Sequence, residues 1–231
     1  MVYFFIGKIL PFITIIVFLV GIILKIKSWM KLPTPSMTLF PTPKNGTVSQ
    51  VVKETFFFPS LFKSDKFLWT GAWVFHVLLV LIFLGHLRVI IDLGFLWNAF
   101  GIGKESVDSM SANVGGAAGA LIFILTIVLI IRRFSIRRVR QVTGFADYFA
   151  LLLLLAIIIS GNLMRFAGHF DLGLTQSYFA GLITFSGATI PENQNFIIHF
   201  FFAQLLIIYM PFSKLLHFGG IFFSQTVLRR I

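Results

Sequence analysis

Five uninterrupted apolar runs, each close to the length that crosses a bilayer, constrain this chain more than any other feature. They extend from about Val2 to Leu24, Phe67 to Ile91, Asn113 to Ile131, Phe145 to Phe166, and Phe196 to about Phe218. Spanning about 30 Å of hydrocarbon takes roughly 20 apolar residues in a helix. Within hydrocarbon every backbone N–H and C=O must be bonded inside its own segment, so each run is expected to be a helix. No alternation of period two marks a transmembrane β-barrel. The expectation is an all-α membrane protein, a five-helix bundle forming a single domain over residues 1–231. The first run lacks a basic leader and a small-residue cleavage site, so it is read as a span and not a signal peptide. Composition agrees: 12% of residues are charged, about half the share in soluble domains. Thirty Phe residues exclude a solvated, disordered chain.

The basic residues set an expected orientation. Lys25, Lys27, Lys31, Lys44, Lys53, Lys63 and Lys66 lie in the first loop, Arg132, Arg133, Arg137, Arg138 and Arg140 in the third, and Lys214, Arg229 and Arg230 in the tail. Lys104 and Arg165 lie in the second and fourth loops. Lys and Arg accumulate on the cytoplasmic side. The N-terminus is therefore expected outside and the C-terminus inside. The acids Asp92, Glu105, Asp108, Asp171 and Glu192 then fall outside. The net charge of +11 reads as a topology signal and not as a nucleic-acid surface.

Breakers punctuate the pattern. The first loop carries Pro33, Pro35, Pro41, Pro43 and Gly46 and is expected to be extended or turn-like in its first half. Its second half, Val51 to Phe62, is expected to be a short helix lying on the membrane, either a tether or a docking surface. Pro211 should kink the fifth span, and Gly219 and Gly220 should end it.

The chain has five His, and four of them fall in two spans: His76 and His86 in the second, His199 and His217 in the fifth. A titratable side chain inside a span is costly, and two pairs confined to two helices point to a site. At a rise of 1.5 Å per residue the first pair is about 15 Å apart and the second about 27 Å, five turns on one face. In antiparallel spans, His76 then lies at the depth of His217 near the inner end, and His86 at that of His199 near the outer end. With no Cys in the chain, thiolate metal sites, iron–sulfur clusters and covalent c-type haem are excluded. A bare zinc ion wants four ligands. Haem brings its own four nitrogens and needs two axial ligands. Two facing pairs therefore read as two non-covalent b-type haems, stacked by depth. Gly71 and Gly85, next to the ligands, would admit a flat macrocycle, or simply a neighbouring helix. Arg88, two residues after His86, is placed to snorkel to the interface. The fifth His, His169, sits in an outer loop beside Arg165 and Asp171.

With its five spans and its His-x9-His and His-x17-His spacings, the chain resembles the gamma subunit of respiratory nitrate reductase, a dihaem cytochrome b. The stretches Asp147-Tyr148-Phe149, Ser160-Gly161-Asn162-Leu163-Met164-Arg165-Phe166, Tyr209-Met210-Pro211-Phe212-Ser213-Lys214-Leu215-Leu216-His217 and Gly219-Gly220-Ile221-Phe222-Phe223-Ser224 are more similar still to the membrane subunits of sulfite-reductase-associated and heterodisulfide-reductase complexes. Short subunits of this kind also accompany some nickel–iron hydrogenases.

The resemblance implies an electron-transfer subunit of a multisubunit quinone oxidoreductase, multi-pass in the cytoplasmic membrane of a prokaryote. It implies haem ligation by His76 and His217 on the inner side and by His86 and His199 on the outer side. It also implies a quinol or quinone site near the outer haem at Gly85, with Lys104 the nearest match to a second family position there and Arg88 placed to meet a haem propionate or a quinone oxygen. The partner implied is a cytoplasmic iron–sulfur subunit similar to the heterodisulfide-reductase catalytic subunit, with further reductase or hydrogenase subunits possible. Electrons would run from quinol inward, or outward to quinone from a hydrogenase-type partner. A haem-free anchor or transporter is the competing class. It would leave four intramembrane His without partners, and the chain shows no internal repeat.

Overall fold

The structure is a computed structural model describing residues 1–31, 47–91, 94–168, 170–217 and 219–220. The proline-rich half of the first loop, Asp92, His169, and the tail from residue 221 with Arg229 and Arg230 lie outside the described residues. The described residues form helices joined by turns and irregular segments, without a strand. Five helices are long and apolar enough to cross a membrane: Val2–Met30, Lys66–Leu87, Lys104–Ser135, Phe145–Phe166 and Gln194–Phe212. These are the first to fifth spans below.

Several boundaries depart from the hydropathy reading. The first span continues past Leu24 to Met30, carrying Lys25 and Lys27, whose long stems let a charge leave an apolar helix. The second stops at Leu87, where the amides of Val89, Ile90 and Ile91 turn back onto the carbonyls of His86 and Leu87. The third begins at Lys104, nine residues ahead of the apolar run. Its first turn is polar and holds Glu105, a charge the helix N-terminus favours. Pro211 does more than kink the fifth span. The α-helix ends at Tyr209, a 3-10 turn covers Met210–Phe212, and Ser213 is extended before a second such turn at Lys214–Leu216. Proline has no N–H to continue the ladder, and its ring crowds the preceding turn. The chain therefore leaves the helix well before Gly219 and Gly220, and the five-turn count between His199 and His217 does not hold.

Further helices occupy the loops. The helix expected over Val51 to Phe62 is two pieces, Thr47–Phe57 and Pro59–Ser64. Phe58 between them is left-handed, at φ 48°, which breaks the helix into its two pieces. In the fourth loop Leu172–Thr184 is helical. Asp171 caps it, its carboxylate accepting from the Leu174 amide at 2.9 Å.

The chain divides into two compact units. One comprises Met1–Ile13 with Phe75–Leu206, the other Thr14–Val74 with Ile207–Ile231. In the first unit, the third and fourth spans pack along a stripe of small residues, Gly115, Gly116, Ala118 and Gly119. Small residues let helix backbones approach where lipid supplies no hydrophobic drive. Polar groups then seal the seam: Asn162 Nδ2 donates to the Gly119 carbonyl at 3.0 Å, and Arg165 Nη1 to the carbonyls of Ser111 and Ala112 at 3.0 and 3.2 Å.

The apolar core of this unit gathers Ile6, Tyr178, Ala188, Phe196 and Ile197. Tyr178 is fully buried, and its hydroxyl donates to the Gly7 carbonyl at 2.5 Å. Burial raises its pKa above the usual tyrosine value. Gln204 Nε2 donates to the carbonyls of Ile6 and Phe200, each at 3.2 Å. Ile6 and Gly7 belong to a π-helical turn, Phe5–Ile9, whose wider ring leaves carbonyls open to side-chain donors.

In the second unit, two indoles meet the end of the Thr47–Phe57 helix. Trp69 Nε1 donates to the Phe57 carbonyl at 2.7 Å, and Trp73 Nε1 to that of Phe56 at 3.1 Å. The last carbonyls of a helix lack intrahelical donors, so these indoles fix where that helix stops.

Candidate cofactor-binding site

His86 lies in the last turn of the second span and His199 in the second turn of the fifth. The structure brings them together. Their ring centroids are 6.1 Å apart and the planes differ by 19°. His86 is exposed and His199 half-buried.

Each ring has one nitrogen already engaged. His86 Nδ1 is 2.7 Å from the Ile82 carbonyl oxygen, one turn back on its own helix. His199 Nδ1 is 3.1 Å from the Ile157 carbonyl oxygen and 3.1 Å from Ser160 Oγ, both on the fourth span. A carbonyl oxygen only accepts, so both contacts call for a proton on Nδ1. The neutral ring then keeps its lone pair on Nε2, the arrangement found where imidazole ligates a metal.

The two rings are near-parallel and close, and each has an Nε2 free of the Nδ1 contacts. Among the described residues no cluster of three or more His, Asp or Glu offers ligands to a bare ion. The donor set is a two-imidazole one, which suits a macrocycle that supplies the other nitrogens.

The surroundings of this pair are partly as expected. A Cβ at Gly85 would meet nothing within 4 Å. Arg88 does not merely snorkel: its Nη2 is 2.6 Å from Asp108 Oδ1, and its carbonyl accepts from Gln176 Nε2 at 2.8 Å. The turn after His86 is thus tied to the third span and to the Leu172–Thr184 helix. Lys104 is exposed, one turn before Asp108 on the same face of the third span. A cleft of about 450 Å³ opens near the Leu172–Thr184 helix, lined among others by Phe170, Asp171, Glu192 and Phe196.

The other two histidines fall one in each structural unit. His76 meets the Phe75 ring edge-to-face at 5.8 Å. His217 Nδ1 is 3.1 Å from the Lys214 carbonyl oxygen, the same engagement of Nδ1 as at the other pair.

Sequence reasoning missed Asp108 as the partner of Arg88 and gave Ser160 no role. Asp108 lies outside any apolar run, and a serine in a span looks like a back-bonded spectator. A signal was nevertheless present: Ser160 and Gly161 interrupt an otherwise aliphatic helix.

A family model described as nitrate reductase gamma subunit matches residues 57–230. The chain belongs to this family. Its relatives include a protein of Archaeoglobus fulgidus, 31% identical, with the match covering 95% of this chain and 78% of the relative. Another, of Archaeoglobus profundus, is 26% identical over 94% of this chain and 76% of the relative. Both bear the name Hdr-like menaquinol oxidoreductase cytochrome b-like subunit. With five apolar helices, this gamma-family member is a multi-pass membrane protein.

Proposed function

We propose that this chain is the membrane cytochrome b subunit of a menaquinol-linked oxidoreductase, in which His86 and His199 would hold a b-type haem. The observation that carries the reading is the facing of two imidazoles across 6.1 Å with Nδ1 of each engaged elsewhere. His76 and His217 are the proposed ligands of a second haem, from the sequence and the family resemblance alone. When bound, haem supplies one-electron transfer. The protein holds the ligands, keeps their lone pairs on Nε2, and shapes the ground where quinol meets the site.

The quinol site is assigned to the surroundings of Gly85, where a Cβ has open space, with Arg88 and Lys104 at its rim. The name of the relatives supports menaquinol as the substrate. Oxidising a quinol to a quinone yields two electrons and two protons, and the protons need acceptors. Asp171 and Glu192, both exposed, line the cleft near the Leu172–Thr184 helix and serve that role. With the N-terminus outside, as the positive charge favours, those protons leave on the outer side. The electrons pass inward to an iron–sulfur partner of the heterodisulfide-reductase kind, docked on the basic segment Arg132 to Arg140. This vectorial separation is electrogenic.

A reduced-minus-oxidised optical spectrum of the purified protein, with the extracted haem quantified per chain, tests the reading. A b-type spectrum that disappears in part with His199→Ala supports it. A chain purified without haem that also takes up none on titration with hemin would overturn it.

A further inference from the structure

We propose that Ser160, together with Gly161, is the positioning element for His199, fixing its tautomer and ring orientation from the fourth span. This rests on the haem reading of His86 and His199 and adds a residue to it.

Ser160 is 4% exposed in a helix surrounded by lipid-facing leucine and isoleucine. Its Oγ is 2.8 Å from the Ala156 carbonyl oxygen and 3.0 Å from that of Ile157. A hydroxyl has one hydrogen and two lone pairs. The hydrogen goes to one of those carbonyls, which accept only. Toward His199 Nδ1, at 3.1 Å, the oxygen then accepts. The Ile157 carbonyl, also 3.1 Å from Nδ1, accepts as well. Two acceptors from one helical turn therefore converge on a single ring nitrogen and hold its proton there.

Gly161 supplies the room. A Cβ at that position would stand 3.1 Å from His199 Cε1 and 3.4 Å from Nδ1. The ring sits where a larger residue would push it away from Ser160.

The two ligands are supported unequally. His86 is oriented by its own helix, through the Ile82 carbonyl, and is exposed. His199 is oriented by a different span. The fourth span therefore governs the electronic character of His199 through Ser160 and the Ile157 carbonyl. An imidazole whose N–H is held by good acceptors is more basic, and a more basic ligand favours the ferric state. Removing the Ser160 hydroxyl should loosen His199 and raise the reduction potential of the haem it holds.

The experiment uses the full chain in detergent, with Ser160→Ala, Ser160→Thr, Gly161→Ala and His199→Ala. Haem per chain, hemin affinity, redox midpoint and the low-spin ferric electron paramagnetic resonance signal are measured. For Ser160→Ala the affinity of one haem is expected to fall roughly 10- to 100-fold, the loss typical of a removed outer-shell partner. Its midpoint rises and its resonance signal shifts, while a second haem, if present, keeps its own values and reports an intact fold. Ser160→Thr, which retains the hydroxyl, restores affinity and midpoint, and Gly161→Ala reproduces the shift by displacing the ring. Ser160→Ala protein with unchanged affinity, midpoint and resonance signal would overturn the assignment. His199→Ala protein that keeps all its haem would defeat the underlying ligand reading instead, so the two failures are distinguishable.

Discussion

Asp108 Oδ1 lies 2.6 Å from Arg88 Nη2, joining the polar first turns of the third span to the turn that follows His86. The side chains are 19% exposed for Arg88 and 47% for Asp108, so water screens the pair. Its coupling energy is expected at about 0.2–1 kcal/mol. A double-mutant cycle with Arg88→Gln and Asp108→Asn, read by thermal unfolding at low and high salt, measures it. A coupling well above that range and insensitive to salt would show that the pair is effectively buried.

Replacing His86 or His199 by Ala is expected to remove the same haem, and replacing His76 or His217 to remove the other. Haem per chain and redox titration of the four variants check this. Loss of one common haem by His76→Ala and His199→Ala would refute the pairing.

Tyr178→Phe removes a buried hydroxyl that donates to the Gly7 carbonyl. The expected cost is about 0.5–1.5 kcal/mol, seen as a lower unfolding midpoint. The variant also carries a pH signature. Burial raises the pKa of the folded-state hydroxyl, so above the unfolded value of about 10 the unfolded chain ionises while the folded one stays protonated. The folded state then binds more protons, and stability falls as pH rises. The wild-type chain should lose more stability than Tyr178→Phe on going from neutral to strongly alkaline pH. Equal losses would contradict this.

Gly7→Ala should be destabilising by about 1–3 kcal/mol, since the new Cβ would stand 2.8 Å from Ile190 Cδ1. Shortening the neighbour with Ile190→Val should recover part of the loss. Additive effects in the double variant would mean that the two side chains do not share that space.

The sequence revealed the spans because transfer of an apolar run into hydrocarbon is a large and additive term, legible without a fold. Phe145–Phe166 emerges at the boundaries its apolar run suggested. Lys104 to Ala112 escapes a hydropathy reading because hydropathy reports transfer into hydrocarbon, and this polar start of the helix, with Glu105 in its first turn, carries no such signal. The break at Met210 exceeds the bend a proline alone implies: the chain takes two 3-10 turns and an extended Ser213. The neighbourhood of His86 and His199 followed from matching depth in two antiparallel helices. The contributions of Ser160 and Asp108 did not, because each is a contact between spans that no spacing within one span encodes.

The π turn at Phe5–Ile9 has a consequence for how this protein tolerates insertions and deletions. Such a turn is one residue longer than an α-helical one, a single-residue surplus accommodated without breaking the helix. Deleting one residue there would restore ordinary pitch and leave Met1 to Phe4 near their present phase, because the wide turn already absorbs the extra residue. The carbonyls that receive Tyr178 and Gln204 would be drawn back into the regular ladder. The same deletion a few turns further along, in regular α-helix, would instead turn Ile6 and Gly7 by about 100° relative to the residues after it. The surplus residue is therefore what opens those two acceptors, and its loss is expected to be felt at Tyr178 and Gln204 with the phase of the helix kept.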